Sequence, residues 1–177
     1  MPLADPTAQS RENPSDDDRA ALATFNHYRD WDSGYSTQQS TRPQTLGYGL
    51  VGSPVGQLAW IMEKLWAWTD CDGHPENALG RDEMLDNVML YWLTASAASS
   101  ARLYWESFRK IRGKGRVEVP TGVASFPKEI IRAPRSWCEV NYNITHWTTM
   151  KRGGHFAAFE QPEAFTEDVR TFFATIG

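Results

Sequence analysis

Apolar residues recur at helical spacing through the first part of the chain. This spacing predicts helices over residues 16–30, 55–70 and 84–108. Pro54 precedes the second of these and suits the first position of a helix, where a backbone N–H has no partner in any case. The third stretch is apolar almost all round at its centre, which predicts a buried helix, and its run of small residues over 95–101 predicts a break or a kink.

The spacing changes to that of β-strands further along the chain. Residues 117–126 and 144–150 are predicted as strands, with a helical segment over 134–141 between them. An amphipathic helix over 162–176 follows. A strand, a helix and a second strand in this order form a βαβ unit, in which the two strands run parallel. The predicted fold class is therefore α/β, with several helices ahead of the parallel strands.

Two stretches lack regular apolar spacing. Residues 1–15 are rich in Pro, Ser and Asp and are predicted to be a flexible lead. Residues 32–54 are rich in Ser, Thr, Gln and Gly and are predicted to be an ordered loop with short helical pieces, a kind of connection that is often functional. The predicted organisation is thus a lead over 1–15, a helical region over 16–112 and an α/β region over 113–177.

Composition and charge narrow the possible functions. The 177 residues include 41% hydrophobic and 23% charged residues, which is typical of one folded domain. With 18 Lys plus Arg against 22 Asp plus Glu, the net charge of −4 provides no positive field for nucleic acid. Cys71 and Cys138 are too far apart for a CxxC pair, and no zinc-ligand spacing occurs. No apolar stretch has the length of a signal peptide or a membrane span, so we expect a cytoplasmic protein without a membrane partner. We also expect no metal and no cofactor.

One histidine follows a pair of glycines at the carboxyl end of a predicted strand. His155 comes directly after Gly153 and Gly154, and Glu129 follows the end of the earlier predicted strand. Because the carboxyl ends of parallel strands meet at one edge of the sheet, we expect the Glu129 carboxylate to reach the His155 imidazole. A carboxylate on one ring nitrogen fixes the tautomer, and the other nitrogen can then take a proton from water. This pair predicts general-base chemistry.

Each of these residues also has a simpler interpretation. Taken alone, His155 would be a hydrogen-bonded loop histidine and Glu129 a solvated carboxylate at a helix start. Their combination is what favours catalysis. Among the other histidines, His146 lies in the last predicted strand and is expected to be structural, while His27 and His74 are expected to be solvated.

Five segments together resemble the epoxide hydrolases of the α/β-hydrolase fold, in particular the microsomal and juvenile-hormone type and its bacterial relatives. The resemblance extends from about residue 16 to residue 177, with the segments in the family's order. They are YSTQQ over 35–39, GSPVGQLA over 52–59, NVMLYW over 87–92, FPKE over 126–129 and GGHFAAFE over 153–160.

The resemblance implies a fold and a set of roles. The chain would be an incomplete α/β-hydrolase, a helical lid followed by the last two parallel strands and their flanking helices. In this family an aspartate attacks an epoxide carbon, and Tyr35 and Tyr104 resemble the two lid tyrosines that donate hydrogen bonds to the epoxide oxygen. Glu129 resembles the acid partner and His155 the general base. Without the motifs, each tyrosine would be read as a core aromatic with a bonded hydroxyl.

The family's nucleophilic aspartate has no counterpart in this sequence. No Gly-x-Asp-x-Gly or Gly-x-Ser-x-Gly segment follows a strand. The aspartates that are present are predicted to lie in helix caps, loops or solvated helix faces; they are Asp16, Asp17, Asp18, Asp30, Asp32, Asp70, Asp72, Asp82, Asp86 and Asp168. The sequence therefore resembles a carboxyl-terminal half, as from a split gene, a shortened reading frame or a truncation.

This incompleteness leaves three functional hypotheses. The chain is the carboxyl-terminal piece of an epoxide hydrolase that needs an amino-terminal half supplied in trans; or it is a non-catalytic, dimeric lid-type protein that binds an apolar small molecule. In the third, Glu129 and His155 activate water directly on an epoxide held by Tyr35 and Tyr104, which would be slow. An open sheet edge and eight tryptophans predict a homo-oligomer or a separate partner chain. Haloalkane dehalogenases rank lower, because they lack the two lid tyrosines.

Overall fold

The computed structural model describes residues 4–111 and 115–176, which are mostly helical. A π-helical turn at Tyr28–Asp32 extends the second helix, and a 3₁₀ turn covers Pro75–Asn77. The helices are α1 Ala8–Glu12, α2 Asp16–His27, α3 Gly34–Thr41, α4 Pro43–Gly52, α5 Pro54–Trp68, α6 Arg81–Leu93, α7 Ala97–Ile111, α8 Arg135–Asn141, α9 Ala157–Glu160 and α10 Pro162–Ala174, and the strands are β1 Val117–Ser125 and β2 Tyr142–Thr149.

The chain forms two compact units. One, the sheet unit, comprises Met1–Asp30, Trp68–Asp70 and Gly115–Gly177; the other, the helical unit, comprises Trp31–Ala67 and Cys71–Lys114. This division differs from the predicted one, because α1 and α2 group with the strands. The predicted boundary between residues 112 and 113 lies outside the described residues.

The two strands pair in parallel and α8 connects them, so the predicted βαβ unit is confirmed. The register joins Val123 to Trp147 and Ser125 to Thr149. It is irregular between Val117 and Pro120, where the proline has no N–H to donate to the ladder. Both strands therefore end at the same edge of the sheet.

The core of the sheet unit is built around Trp137 of α8, which is fully buried with Ala21 and Cys138. Its Nε1–H donates to Ser10 Oγ at 2.7 Å and to Asp18 Oδ1 at 2.6 Å. These hydrogen bonds tie α1 and α2 to α8, which explains why the first helices belong with the sheet. Burial raises the pKa of the Cys138 thiol to about 11, so this thiol stays protonated.

Asp18 does more than the capping that the sequence predicts. As the third residue of α2 it forms a capping box with Ser15, and it is also buried against Trp137. Hydrogen bonds from the Ser15 side chain, Ser10 and the Ser15 backbone hold the pKa of Asp18 well below its usual range. The residue is thus an ionised group inside the core of the sheet unit.

The described part of the lead, residues 4–15, is more ordered than predicted. It contains α1, whose start is capped by the Thr7 side chain, and Pro6 and Ser10 are buried. The sequence showed no apolar period there, because the helix is short and is stabilised by polar contacts.

The stretch over residues 32–54 is also more regular than predicted. It forms α3 and α4, with Pro43 at the first position of α4. Gly47 faces Ala98 of α7 so closely that an added Cβ would come within 2.5 Å of the Ala98 Cβ. Gly47, one of the glycines that suggested a loop, thus allows two helices to pack closely.

The prediction of a buried central helix over 84–108 is wrong in part. The helix does break as predicted, at Ala95, which has a φ of 51°. However, only Met84 and Val88 of α6 are buried, while Leu90 is 66% and Leu93 is 74% exposed. A helix that is apolar on all sides is expected to be buried against other apolar groups. The sequence pattern does not specify whether the described residues supply those groups, and for Leu90 and Leu93 they do not.

Among the described residues, no helix has both the length and the apolar character needed to cross a membrane. Cys71 and Cys138 are free and buried.

Replacing Trp137 by alanine should lower the free energy of unfolding by about 3–5 kcal/mol, because a fully buried indole leaves a cavity and unpaired polar groups. Urea denaturation followed by circular dichroism measures the change. Val140→Ala is the matched control in the same helix, since Val140 is 57% exposed and should change stability by no more than about 0.5 kcal/mol. Equal losses in the two variants would contradict the central role of Trp137.

Candidate functional site

His155 and Glu129 meet at the carboxyl edge of the two strands. His155 Nδ1 lies 2.7 Å from Glu129 Oε1. The same carboxylate oxygen accepts the N–H of Ile130 at 2.8 Å, which fixes its direction. The Lys128 N–H donates to the Gly153 carbonyl at 3.1 Å, so the backbones that carry the two side chains are also joined.

The carboxylate of Glu129 is suited to an ionised role. Burial acts to raise its pKa, but the hydrogen bond and the charge of His155, together with the Ile130 N–H, outweigh burial and lower the pKa below its usual value of 4.5. An ionised acceptor at Nδ1 keeps the proton of a neutral imidazole on that nitrogen and leaves Nε2 as the basic one. The His155 side chain is 30% exposed, so water can reach it.

The two glycines before His155 are required by the close packing of this turn. Gly153 has a φ of 108°, a conformation that glycine adopts without strain, and an added Cβ would come within 2.8 Å of the Phe126 ring. At Gly154 an added Cβ would come within 2.4 Å of the Trp68 carbonyl oxygen. The His155 N–H donates to that same oxygen at 2.8 Å. The turn therefore lies directly against the backbone of Trp68.

Aromatic rings pack against the imidazole on this side. The centroid of Trp68 lies 5.4 Å from that of His155, and the Phe156 centroid lies 5.1 Å away, both in edge-to-face geometry. Trp68 is 5% exposed. These contacts restrict the rotation of the imidazole and lower the local dielectric, which strengthens its bond to Glu129.

Tyr35 and Tyr104 also lie together, in the helical unit. Tyr35 is on α3 and Tyr104 is on α7, and their ring centroids are 5.8 Å apart at an interplanar angle of 78°. Both are partly buried. The ammonium of Lys64, on α5, lies 4.9 Å from the centroid of the Tyr35 ring and pairs with Glu63 at 2.7 Å. A cation over a phenol ring draws electron density from it and makes its O–H a better donor.

The structure thus brings the four predicted site residues together in two pairs. His155 and Glu129 belong to the sheet unit, whereas Tyr35 and Tyr104 belong to the helical unit. The sequence analysis did not predict that Lys64 contacts Tyr35. This contact depends on how two helices pack, and the sequence carries no signal for it.

The remaining histidines have structural or surface positions. His146 Nε2 lies 2.9 Å from Asp168 Oδ1 and 3.0 Å from Thr148 Oγ1, and these partners agree with the structural role expected of it. Asp168 was predicted to be solvated, but only 10% of its side chain is exposed because it pairs with this histidine. His27 and His74 are exposed, as predicted.

Two acidic residues near the turn were not predicted to matter. Glu160 accepts backbone N–H groups from Asp70, Gly154 and Phe156, and Asp70 Oδ2 accepts that of Gly153 at 3.0 Å. Burial and the charge of Asp70 raise the pKa of Glu160 above its usual value, although the three N–H groups oppose this. Its position in the segment GGHFAAFE was the available signal.

The parts of the chain that the structure describes contain no group of three or more His, Cys, Asp or Glu side chains able to hold a metal ion.

Comparisons with known proteins relate the chain to one kind of enzyme. No protein-family model matches it. A protein of Stigmatella aurantiaca named "Putative epoxide hydrolase" is 49% identical over 174 residues, which are 98% of this chain and 40% of that protein. Epoxide hydrolase 1 of Sus scrofa is 40% identical over 82% of this chain and 35% of its own length. The chain thus spans well under half the length of these relatives.

Solved structures agree in fold. The epoxide hydrolase of Aspergillus niger superposes with a TM-score of 0.87 at 32% identity, over 100% of this chain and 44% of that structure. The juvenile hormone epoxide hydrolase of Bombyx mori gives a TM-score of 0.75 at 39% identity, over 81% of this chain and 40% of that structure. The predicted fold class, an incomplete α/β-hydrolase, is confirmed.

Replacing Glu129 by glutamine should lower stability at neutral pH but not in acid. The lowered pKa means that the folded state binds the proton less readily than the unfolded state, so this stabilisation is present above pH 4.5 and is lost as the pH falls further. The difference in urea midpoint between wild type and Glu129→Gln should therefore be largest near neutral pH and shrink in acid. Glu163→Gln, an exposed position on α10, is the control. A difference that does not vary with pH would contradict the prediction.

Replacing Gly154 by alanine should lower the free energy of unfolding by about 1–3 kcal/mol, the usual cost of forcing an extra carbon into a packed site. The cause is the clash with the Trp68 carbonyl oxygen. Gly49→Ala is the control, because an added Cβ meets nothing within 4 Å there, and alanine should stabilise α4 by about 0.5–1 kcal/mol. Thermal denaturation of both variants tests this; an unaffected Gly154→Ala variant would argue against the close approach.

Proposed function

Because this chain is related to the carboxyl-terminal part of epoxide hydrolases of the α/β-hydrolase fold, we propose that it takes part in the hydrolysis of an epoxide to a vicinal diol. The observation that carries the proposal is the contact of 2.7 Å between His155 and Glu129 at the carboxyl edge of parallel strands. Ligands of such sheets bind at that edge.

His155 is the general base in this proposal. Glu129 holds the proton on Nδ1, so Nε2 takes a proton from water as that water attacks. The imidazolium that forms is stabilised by the ionised carboxylate of Glu129. The attacked atom is the carbonyl carbon of an ester between the substrate and an aspartate. The bond between that carbon and the substrate-linked oxygen breaks, and the imidazolium gives its proton to this departing oxygen, which becomes a hydroxyl of the diol. The carboxylic acid left on the aspartate then loses its proton to water, so both the neutral histidine and the free carboxylate are restored.

Tyr35 and Tyr104 have the complementary role of polarising the epoxide. When the ring opens, negative charge develops on its oxygen, and two phenol O–H donors stabilise that charge. The partly buried positions of both tyrosines and the Lys64 ammonium over the Tyr35 ring support this role. The substrate proposed for the pair is therefore an epoxide.

In this proposal the nucleophilic aspartate is supplied by an additional α/β segment, since the relatives are longer than this chain. We propose that this segment contacts β1, which pairs on one side with β2 in the described part of the chain. Parallel strands are normally buried within a sheet, and Val119 of β1 is 66% exposed. An added parallel strand, in the same polypeptide or in trans, would cover this edge; a second copy of this chain is the competing occupant.

The test is diol formation from an aryl epoxide by the purified chain, alone and mixed with the separately expressed amino-terminal part of the Stigmatella aurantiaca relative. Turnover should need the mixture and vanish in His155→Ala. Tyr35→Phe and Tyr104→Phe should each lower kcat by roughly 10²–10³-fold, the usual cost of one lost donor to a developing oxyanion. Tyr48→Phe is the matched control, because Tyr48 is 73% exposed on α4.

Isotope labelling separates the two possible routes. In H₂¹⁸O under single turnover, an ester route places enzyme carboxylate oxygen in the first diol, whereas direct attack by water places solvent oxygen there. If the chain alone forms diol and the first diol contains solvent oxygen, the ester route is wrong and water attacks the epoxide directly. Tight epoxide binding without turnover in any mixture would contradict the proposal and support the non-catalytic binding protein.

A further inference from the structure

Glu160 is a buried carboxylate that the proposed mechanism does not use. It ends the short helix α9 and is only 7% exposed. Its Oε2 accepts the N–H groups of Asp70 at 2.7 Å and Gly154 at 3.0 Å, and its Oε1 accepts that of Phe156 at 3.1 Å. Because residues 154 and 156 flank the catalytic histidine, one carboxylate holds the backbone on both sides of it.

The backbone N–H groups around His155 are all occupied. Gly153 donates to Asp70 Oδ2 at 3.0 Å and His155 donates to the Trp68 carbonyl at 2.8 Å, while residues 154 and 156 donate to Glu160. Four consecutive N–H groups therefore have acceptors, and Asp70 itself donates to Glu160. Residues 68–70 and the histidine turn, defined as residues 153–156, are thus joined directly by two hydrogen bonds and also through the Glu160 carboxylate.

The hydrogen bonds from residues 154 and 156 to Glu160 limit the positions that the His155 imidazole can take. A backbone fixed on both sides fixes the direction of the Cα–Cβ bond, and from there only a narrow range of rotamers brings His155 Nδ1 to within 2.7 Å of Glu129. Hydrogen bonds weaken steeply with distance and angle, so a small rotation of the turn would break the pair. The two oxygens of the Glu160 carboxylate accept N–H groups on both sides of His155 and so oppose that rotation.

We propose that Glu160 is a positioning residue for His155, whose carboxylate braces residues 154 and 156 so that Nδ1 faces Glu129 and Nε2 remains the basic nitrogen. This inference rests on the proposed function, in which His155 is the general base, but its test does not require turnover.

The test measures the tautomer of His155 by long-range ¹H–¹⁵N NMR of the ¹⁵N-labelled chain. Wild-type protein should show the neutral imidazole with its proton on Nδ1. In Glu160→Gln the amide NH₂ cannot accept the N–H groups, so the turn should relax and the ratio of Nδ1–H to Nε2–H should fall by about tenfold or more, as expected when a hydrogen bond to a charged acceptor is lost.

Two controls separate positioning from loss of stability. Glu163→Gln removes the same charge at an exposed site on α10. Asp18→Asn weakens the hydrogen bond to Trp137 elsewhere in the sheet unit, so it lowers stability without touching the turn. Both controls should keep the His155 tautomer ratio within about twofold of wild type, since neither residue bonds to the turn.

A measurement without substitution keeps the proposal testable if Glu160→Gln does not fold. Scalar couplings across the hydrogen bonds, from the amide nitrogens of Gly154 and Phe156 to the Glu160 carboxylate carbon, should be present in ¹³C,¹⁵N-labelled wild-type protein. Their absence would overturn the proposal, as would an unchanged His155 tautomer in folded Glu160→Gln. The two proposals can fail separately. If Glu160→Gln changes the His155 tautomer but the wild-type mixture forms no diol, the proposed function is contradicted and the positioning role is retained.

Discussion

The parallel pairing of β1 with β2 is the constraint on which the contact between His155 and Glu129 depends. It places Ser125 opposite Thr149, so the two strands end together, and an isolated bridge between Lys128 and Gly154 continues the alignment beyond them. An acid that follows one strand and a histidine that follows the other can meet only if both strands point the same way. The crossover helix α8 makes that possible, and its buried Trp137 also anchors the first helices to the same unit.

The histidine turn shows how a polar segment can be both buried and rigid. Four backbone N–H groups enter a packed region, and each would cost free energy if it had no acceptor. Two carboxylates and one carbonyl group satisfy all four of them, and Gly154 allows the approach to Trp68 that this requires. The ionised Glu129 then meets an imidazole whose position is already set, which is the preorganisation that general-base catalysis needs.

In the proposed function the two pairs of side chains have different roles. Glu129 and His155 are proposed to move a proton, and Tyr35 and Tyr104 are proposed to donate hydrogen bonds to a developing negative charge. The proposal gives neither pair a covalent bond with substrate, so it requires a separate nucleophile or a slower direct attack by water. The exposed side chains of α6 and β1 agree with this, because they are apolar surfaces that the described residues leave uncovered.

Sequence by itself determined the elements whose apolar period is strong and whose chemistry is local. The βαβ order, the helix after Pro54 and the pairing of Glu129 with His155 all follow from spacing and from the geometry of parallel strands. The same reasoning predicted only short helical pieces where α3 and α4 form, and it predicted burial for Leu90 and Leu93, which are exposed. Only the tertiary structure decided the contact of Lys64 with Tyr35, the burial of Asp18 against Trp137 and the hydrogen bond from Asp70 to Glu160, because each joins residues that are distant in sequence and meet only when the chain is folded.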